Sequence, residues 1–330
     1  MILKIFRNIF ILFIISMALG CSGETKLTNS ILNKKPVFTM KIHGFGTRYR
    51  IHINGVEVYR ENSSASQVTT SIPLNHWMRA GENSLKLIVL PSKKNTPINE
   101  KSEVSAELYV HNDEMEEQQY RIGGFNFKGL GHIRESDLLE YRLEAELFKR
   151  DDEGEVIAQD VEITEDTVFD GVIEYKQIFT IPNSLPLWAF FNSDDVPNEP
   201  DLSEEEFWAL SEKIQNQLIS IREHLVSGDV DKILPLFEER NNELDKAFYY
   251  SSGVMEAKLR DSFEVDIPQL DMLNIQNKHV AYENEENMKL ASVYRKNKGA
   301  AISGNYKEGS GSVKFPIMFR KQDGKWIITR

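Results

Sequence analysis

The stretch RYRIHINGVEVYRE (Arg48–Glu61) reads as two short strands joined by a turn. Asn54-Gly55 is the preferred dipeptide for a two-residue type I′ hairpin, because both turn positions need positive φ. That register sets Ile53 opposite Val56 and Ile51 opposite Val58 on one face. The other face pairs His52 with Glu57, Arg50 with Tyr59 and Arg48 with Glu61, so opposite charges and a cation–aromatic pair meet across the strands. This second face is read as the solvated side of a sheet, with a binding face through His52 and the arginines as the alternative.

Period-two alternation continues outward from the hairpin. SLKLIVLP sets Leu85, Leu87 and Val89 on one side, and EVSAELYVH does the same with Val104, Ala106, Leu108 and Val110. LLEYRLEAELFK alternates through Leu139, Tyr141, Leu143, Ala145 and Leu147. GVIEYKQIFTI alternates through Ile173, Tyr175, Phe179 and Ile181, with Gln177 interrupting the apolar set. Several short strands separated by turn residues predict a β-sandwich or jelly roll over residues 37–190.

INGVEVYRE followed by SIPLNHWMRAGENSLKLIVLP resembles the galactose-binding-like jelly rolls appended to many carbohydrate-active enzymes. In the turn Arg79-Ala80-Gly81-Glu82-Asn83, Gly81 permits a tight backbone and Asn83 can bond the backbone as the strand begins. The resemblance concerns fold and implies no sugar-binding residue. Trp77 is read as packing beneath the turn beside Met78, with stacking on a ligand as the alternative.

NSDDVPNEPDLSEEE holds two prolines and many carboxylates and reads as an interdomain linker over 191–202. Its acids do not follow the spacing of a calcium loop. Ser203 then opens a helix, with Glu206 completing a capping box and Glu204 and Glu205 suiting the positive helix end. Phe207, Leu210, Ile214, Leu218, Ile221 and Leu225 form one apolar stripe, and Gly228 is placed to end the helix. DVDKILPLFEERNNELDKAFYY is a second helical stretch broken at Pro235, and GVMEAKLRDSF is a further helical candidate. After Pro268 come the strands KHVAYE, MKLASVYR, SVKFPIMFRK and KWIITR, with KQDGK as the last turn.

Helices followed by an antiparallel meander predict an α+β domain over 203–330. The long first helix, SGDVDKILPLF and the closing DGKWIITR resemble the cone-shaped fold of nuclear transport factor two and ketosteroid isomerase. That resemblance implies helices packed on a curved antiparallel sheet. Catalytic members of the family use a pocket acid or a His–Asp pair. The histidines available for such a role are His224 and His279, and neither comes with a motif, so both are read as surface or structural. Tyr249, Tyr250, Tyr282 and Tyr294 are core candidates, with pocket lining as the alternative.

The N-terminus carries Lys4 and Arg7, an uncharged run of 11 residues from Ile9 to Leu19, then Gly20 and Cys21, the one cysteine of the chain. This is the pattern of a signal peptide over 1–20, since spanning a bilayer takes about 20 apolar residues. Ala18-Leu19-Gly20-Cys21 resembles the lipobox of bacterial lipoproteins, with Ala18 where leucine is commoner. The resemblance implies cleavage between Gly20 and Cys21, a diacylglyceryl group on the thiol and a polar tether over 21–36. Two or more chains hold a protein firmly to a membrane. Ser22, by the same resemblance, implies export to an outer membrane facing the periplasm, or the exterior of a plasma membrane in a cell without one.

Without the signal segment, 37 basic residues stand against 51 acidic ones, a net charge of −14. Bulk charge of this sign argues against nucleic acid as a partner. No phosphate-binding loop, His-Glu-x-x-His, cysteine pair or Gly-x-Ser-x-Gly elbow occurs in the sequence. No catalytic residue, cofactor or metal set is therefore assigned. The sequence reads as a non-enzymatic, membrane-tethered binding protein of the cell envelope with a protein partner. An immunity or inhibitor protein against an envelope toxin is the specific version. The alternatives are a small-molecule enzyme or sensor using the cone, and a glycan-binding module using the jelly roll.

Overall fold

The computed structural model describes residues 35–93, 96, 98–112, 119–129, 158–163, 172–181, 185–275, 280–295, 299–309 and 311–330. Gly20, Cys21, most of the expected tether, the strand expected at 138–149 and His279 lie outside them. The chain forms two compact units. The first comprises the residues up to Ile53 and Val58–Leu185; the second comprises Asn54–Glu57 and Pro186–Arg330.

The first unit is built of strands: β1 (Pro36–Phe45), β2 (Arg48–Ile53), β3 (Val56–Glu61), β4 (Gln67–Pro73), β5 (Gly81–Leu90), β6 (Glu103–Asn112), β7 (Tyr120–Lys128), β8 (Ala158–Ile163) and β9 (Ile173–Ile181). One sheet has the order β4-β1-β6-β7 and the other β3-β2-β5-β9-β8. Asn54 and Gly55 take φ of 52° and 73°, as the type I′ turn requires. The expected inward residues of β5, β6 and β9 are buried. Contact between the sheets runs through β7 and β9, where Phe125 and Phe127 lie 5.8 and 6.3 Å from the Tyr175 ring. Gln177 interrupts the apolar set because its Oε1 accepts from the Gly124 N–H at 2.9 Å.

Three local expectations change. His52 is buried, so it does not sit on a solvated face. β3 is half-buried from Glu57 to Glu61, and Tyr59 stacks on Tyr49 at 5.8 Å. Arg48 donates to the Pro91 carbonyl at 2.6 and 2.9 Å. The turn before β5 is as expected: Gly81 has φ of 84°, and Asn83 Nδ2 donates to the Arg79 and Gly81 carbonyls. Trp77 is buried in a short 3-10 turn beside Met78, packed as core.

The helices of the second unit are α1 (Glu204–Ser227), α2 (Val230–Ile233), α3 (Glu238–Ala247) and α4 (Val254–Val265). α1 starts on a complete capping box between Ser203 and Glu206 and stops at Gly228, which is left-handed with φ of 75°. Its stripe of Ile214, Leu218, Ile221 and Leu225 is buried in the core, and Phe207 and Leu210 pack against it. Pro235 sits in a 3-10 turn that separates α2 from α3. The Asp245 carboxylate accepts the Gly253 and Met255 N–H groups and so caps α4.

The strands of this unit are β10 (Leu270–Met272), β11 (Val280–Asn284), β12 (Ala291–Arg295), β13 (Ile302–Tyr306), β14 (Ser312–Phe315), β15 (Met318–Gln322) and β16 (Lys325–Ile328). They form two antiparallel sheets, β11-β12-β15-β16 and β10-β13-β14. The single meander expected from sequence is therefore divided. SVKFPIMFRK is two strands in two sheets, because Pro316 has no N–H to continue a ladder. The edge strand β11 gains a partner from α1, where Ser211 Oγ accepts the Tyr282 N–H at 3.3 Å.

Parts of the acidic segment 191–202 are packed, while Asp194, Asp195, Glu199 and Asp201 stay exposed. Val196 is buried in the core, and its N–H donates to the Met288 carbonyl at 2.7 Å. Asp194 N–H donates to the Lys321 carbonyl, and Lys289 Nζ holds the Ser193 carbonyl and the Asp195 carboxylate. The second unit thus begins at Pro186.

Candidate functional site

A groove of about 570 Å³ lies in the second unit between the end of α1, the end of α4 and β10. Gly228 turns the chain sharply out of α1, and the 3-10 turn Ile267–Gln269 carries it from α4 into β10. Between them the floor is apolar: Leu225, Val230, Phe263, Ile267 and Leu270 line it and are themselves core residues. Val226 stands at the rim with 56% of its surface exposed, one residue beyond the buried face of α1.

The rim is polar. Arg222 donates from Nε to the Leu273 carbonyl at 2.8 Å and from a terminal nitrogen to Met272 at 2.9 Å. Lys307 Nζ donates to the Pro268 carbonyl at 2.8 Å. These cations bond carbonyls at Pro268, Met272 and Leu273, at the two ends of β10. Arg295 joins them, donating to Ala301 at 2.9 Å, and its pKa is lowered by burial and then by the Arg222 charge. Glu264 and Asp271 add acid to the same rim.

Among the described residues, α1 packs closely on the sheets. A gap of about 10 Å³ remains there, lined by Leu218, Val293, Ala301, Ile302, Phe315 and Ile317, with Ser292 and Tyr294 as its polar neighbours. That is room for about one water.

The residues singled out from sequence do not assemble into one site. His224 is on the last turn of α1, 3.7 Å from Asp229, and does not line the groove. Tyr282 is core, with its hydroxyl donating to the Pro197 carbonyl at 2.7 Å, and burial raises its pKa. Tyr294 borders the small gap, and burial, then the Glu285 charge, push its pKa up to about 12. Tyr249 takes positive φ of 57° after α3, and Tyr250 is exposed beneath Lys258 Nζ at 4.3 Å. The groove itself was missed, since its floor residues read as ordinary core. Val226, apolar and off the buried stripe, was the one local signal.

Among the described residues no group of three or more His, Cys, Asp or Glu side chains is arranged to hold a metal ion. No described helix is long and apolar enough to cross a membrane. No protein family, curated protein or solved structure matches this chain.

Proposed function

We propose that the protein is a lipid-anchored, non-enzymatic binding protein of the bacterial cell envelope, held through Cys21, that receives a protein partner in the groove at the end of α1. The observation that carries this reading is the contrast between the two spaces of the second unit. Among the described residues the gap beside α1 has room for about one water, while the surface groove offers about 570 Å³ over an apolar floor. Small-molecule sites are clefts or cavities of roughly 300–1,000 Å³ with a few converging polar groups. The described interior gap is smaller than that, and the groove's Arg222 and Lys307 are engaged with backbone carbonyls. Sheets plus helices in the second unit fit the cone, and the paired sheets of the first unit fit the jelly roll. Folds of both kinds serve adaptors as readily as enzymes.

An apolar floor under a polar rim is the usual anatomy of a protein-binding patch. The anchor rests on Ala18-Leu19-Gly20-Cys21, and Ser22 favours the outer membrane. Membrane fractionation of Cys21→Ala tests the anchor: the variant is expected in the soluble fraction, and retention in the membrane refutes lipidation there. Val226→Glu tests the groove. The charge falls on an exposed residue, so the fold is expected to survive while partner binding is lost.

A further inference from the structure

α3 presents Glu239, Arg240, Asn241 and Glu243 within two turns. Arg320 on β15 grips Glu239, with Nε on Oε1 at 2.7 Å and a terminal nitrogen on the other oxygen. Arg330, just past β16, donates to Glu243 Oε2 at 2.6 Å, and Glu243 Oε1 accepts the Ala189 N–H at 2.6 Å. Arg330 also lies 4.8 Å over the Phe190 ring. Both carboxylates are thereby engaged.

Arg240 is the one left over. Among the described residues its guanidinium makes a single hydrogen bond, to Asn241 Oδ1 at 3.0 Å, and no ion pair. That acceptor is neutral. The side chain is half-buried, and its pKa is lowered to about 10 by burial first and by the Arg330 charge second. Asn241 is 1% exposed, and its Nδ2 has no acceptor among the described residues. Oδ1 and Nδ2 share one carbon, so this orphan donor lies next to the guanidinium. Both groups lack the same thing, an oxygen acceptor, and Arg240 also lacks a negative charge. Water can supply the first need but not the second. The other Arg240 nitrogens are not enclosed, which leaves an approach from solvent.

We propose that Arg240, positioned by Asn241, is an oxyanion-binding subsite that takes a carboxylate or phosphate group. The guanidinium fork offers two parallel N–H donors to such a group. The Asn241 Oδ1 contact positions the guanidinium, while its Nδ2 stays enclosed. The subsite stands apart from the groove, and its failure leaves the proposed groove function untouched.

The test titrates the full chain with sodium acetate and, separately, with inorganic phosphate, each at constant ionic strength set by chloride. The readouts are the Arg240 Nε–Hε resonance and the melting temperature. A saturable shift of that resonance with acetate, phosphate or both is expected, and the arm that saturates at lower concentration identifies the preferred source. Arg240→Met is expected to melt no lower than the parent in chloride alone, since it replaces an uncompensated charge by an apolar chain. It is also expected to weaken the anion midpoint by at least roughly thirtyfold. Arg240→Lys keeps the charge but loses the fork, and is expected to fall between the two. No saturable shift with either anion, an unchanged midpoint in Arg240→Met, or an Arg240→Met chain that unfolds in chloride overturns the proposal.

Discussion

Gly124→Ala probes the close approach of β7 to β6 within one N-terminal sheet. Gly124 has φ of 134°, a region costing roughly 1–3 kcal/mol for a residue with a side chain. A Cβ there would sit 2.4 Å from the Ala106 carbonyl oxygen and 2.8 Å from the Glu107 Cα. Both are backbone atoms of β6, which is paired with β1 on one side and β7 on the other, so neither can withdraw. Forcing such an overlap adds about 1–3 kcal/mol. Displacing the Gly124 N–H from Gln177 Oε1 adds about 1 kcal/mol more. The sum is roughly 3–7 kcal/mol, out of a total stability of about 5–15 kcal/mol for a domain. Gly81→Ala is the control. Gly81 also has positive φ, 84°, but a Cβ there meets nothing within 4 Å. Its cost is the backbone term alone, about 1–2 kcal/mol. Urea unfolding followed by hydrogen exchange of peptides from β6 and β9 reads the first unit separately. With a slope of about 2 kcal/mol/M, the midpoint falls by about 1.5–3.5 M for Gly124→Ala and about 0.5–1 M for Gly81→Ala. Equal losses for the two variants would refute the close approach of β7 to β6.

Further expectations concern the second unit. Ser203→Ala removes the capping box of α1 and is expected to cost about 1 kcal/mol, read from its urea midpoint. Glu243→Gln leaves Arg330 buried without its counter-charge and is expected to cost about 3–5 kcal/mol. Adding Arg330→Met should recover part of that loss in a double-mutant cycle, and strict additivity would argue against the pair. Tyr294 ionises near 10 when unfolded and about 12 when folded. Its contribution is therefore fully present below pH 10 and is lost as pH rises toward 12. Tyr294→Phe should flatten the alkaline limb of the stability profile over that window, and an unchanged limb would refute the buried phenol.

What could be read from sequence was local. Ser203, Glu206 and Gly228 each act through neighbours three or four positions away, so the whole of α1 was legible. The same holds for Asn54-Gly55 and for Gly81 with Asn83. What was not legible depends on partners distant in sequence. The apolar alternation of SVKFPIMFRK runs unbroken through Pro316 and masks the break there, and the pairing partners put the two halves in different sheets. β13 was missed because Gly304 and Asn305 interrupt its pattern. Gly304 is there because a Cβ would lie 3.0 Å from both Leu270 Cβ and Met272 Sδ of β10. In the acidic segment one apolar residue, Val196, decides the packing, and one residue makes no period. The groove was invisible for the same reason, since its floor joins five elements that only the fold brings together.

Site-specific photo-crosslinking in intact envelopes tests the groove function most directly. A photoreactive residue is placed at Val226 on the groove rim and, separately, at Leu236, another exposed apolar position that does not line the groove. A discrete protein adduct at 226 that is absent at 236, and that disappears when Leu225→Glu is added to the floor, is the result expected of a partner-binding groove. No adduct at 226, or the same adducts at both positions, would contradict it.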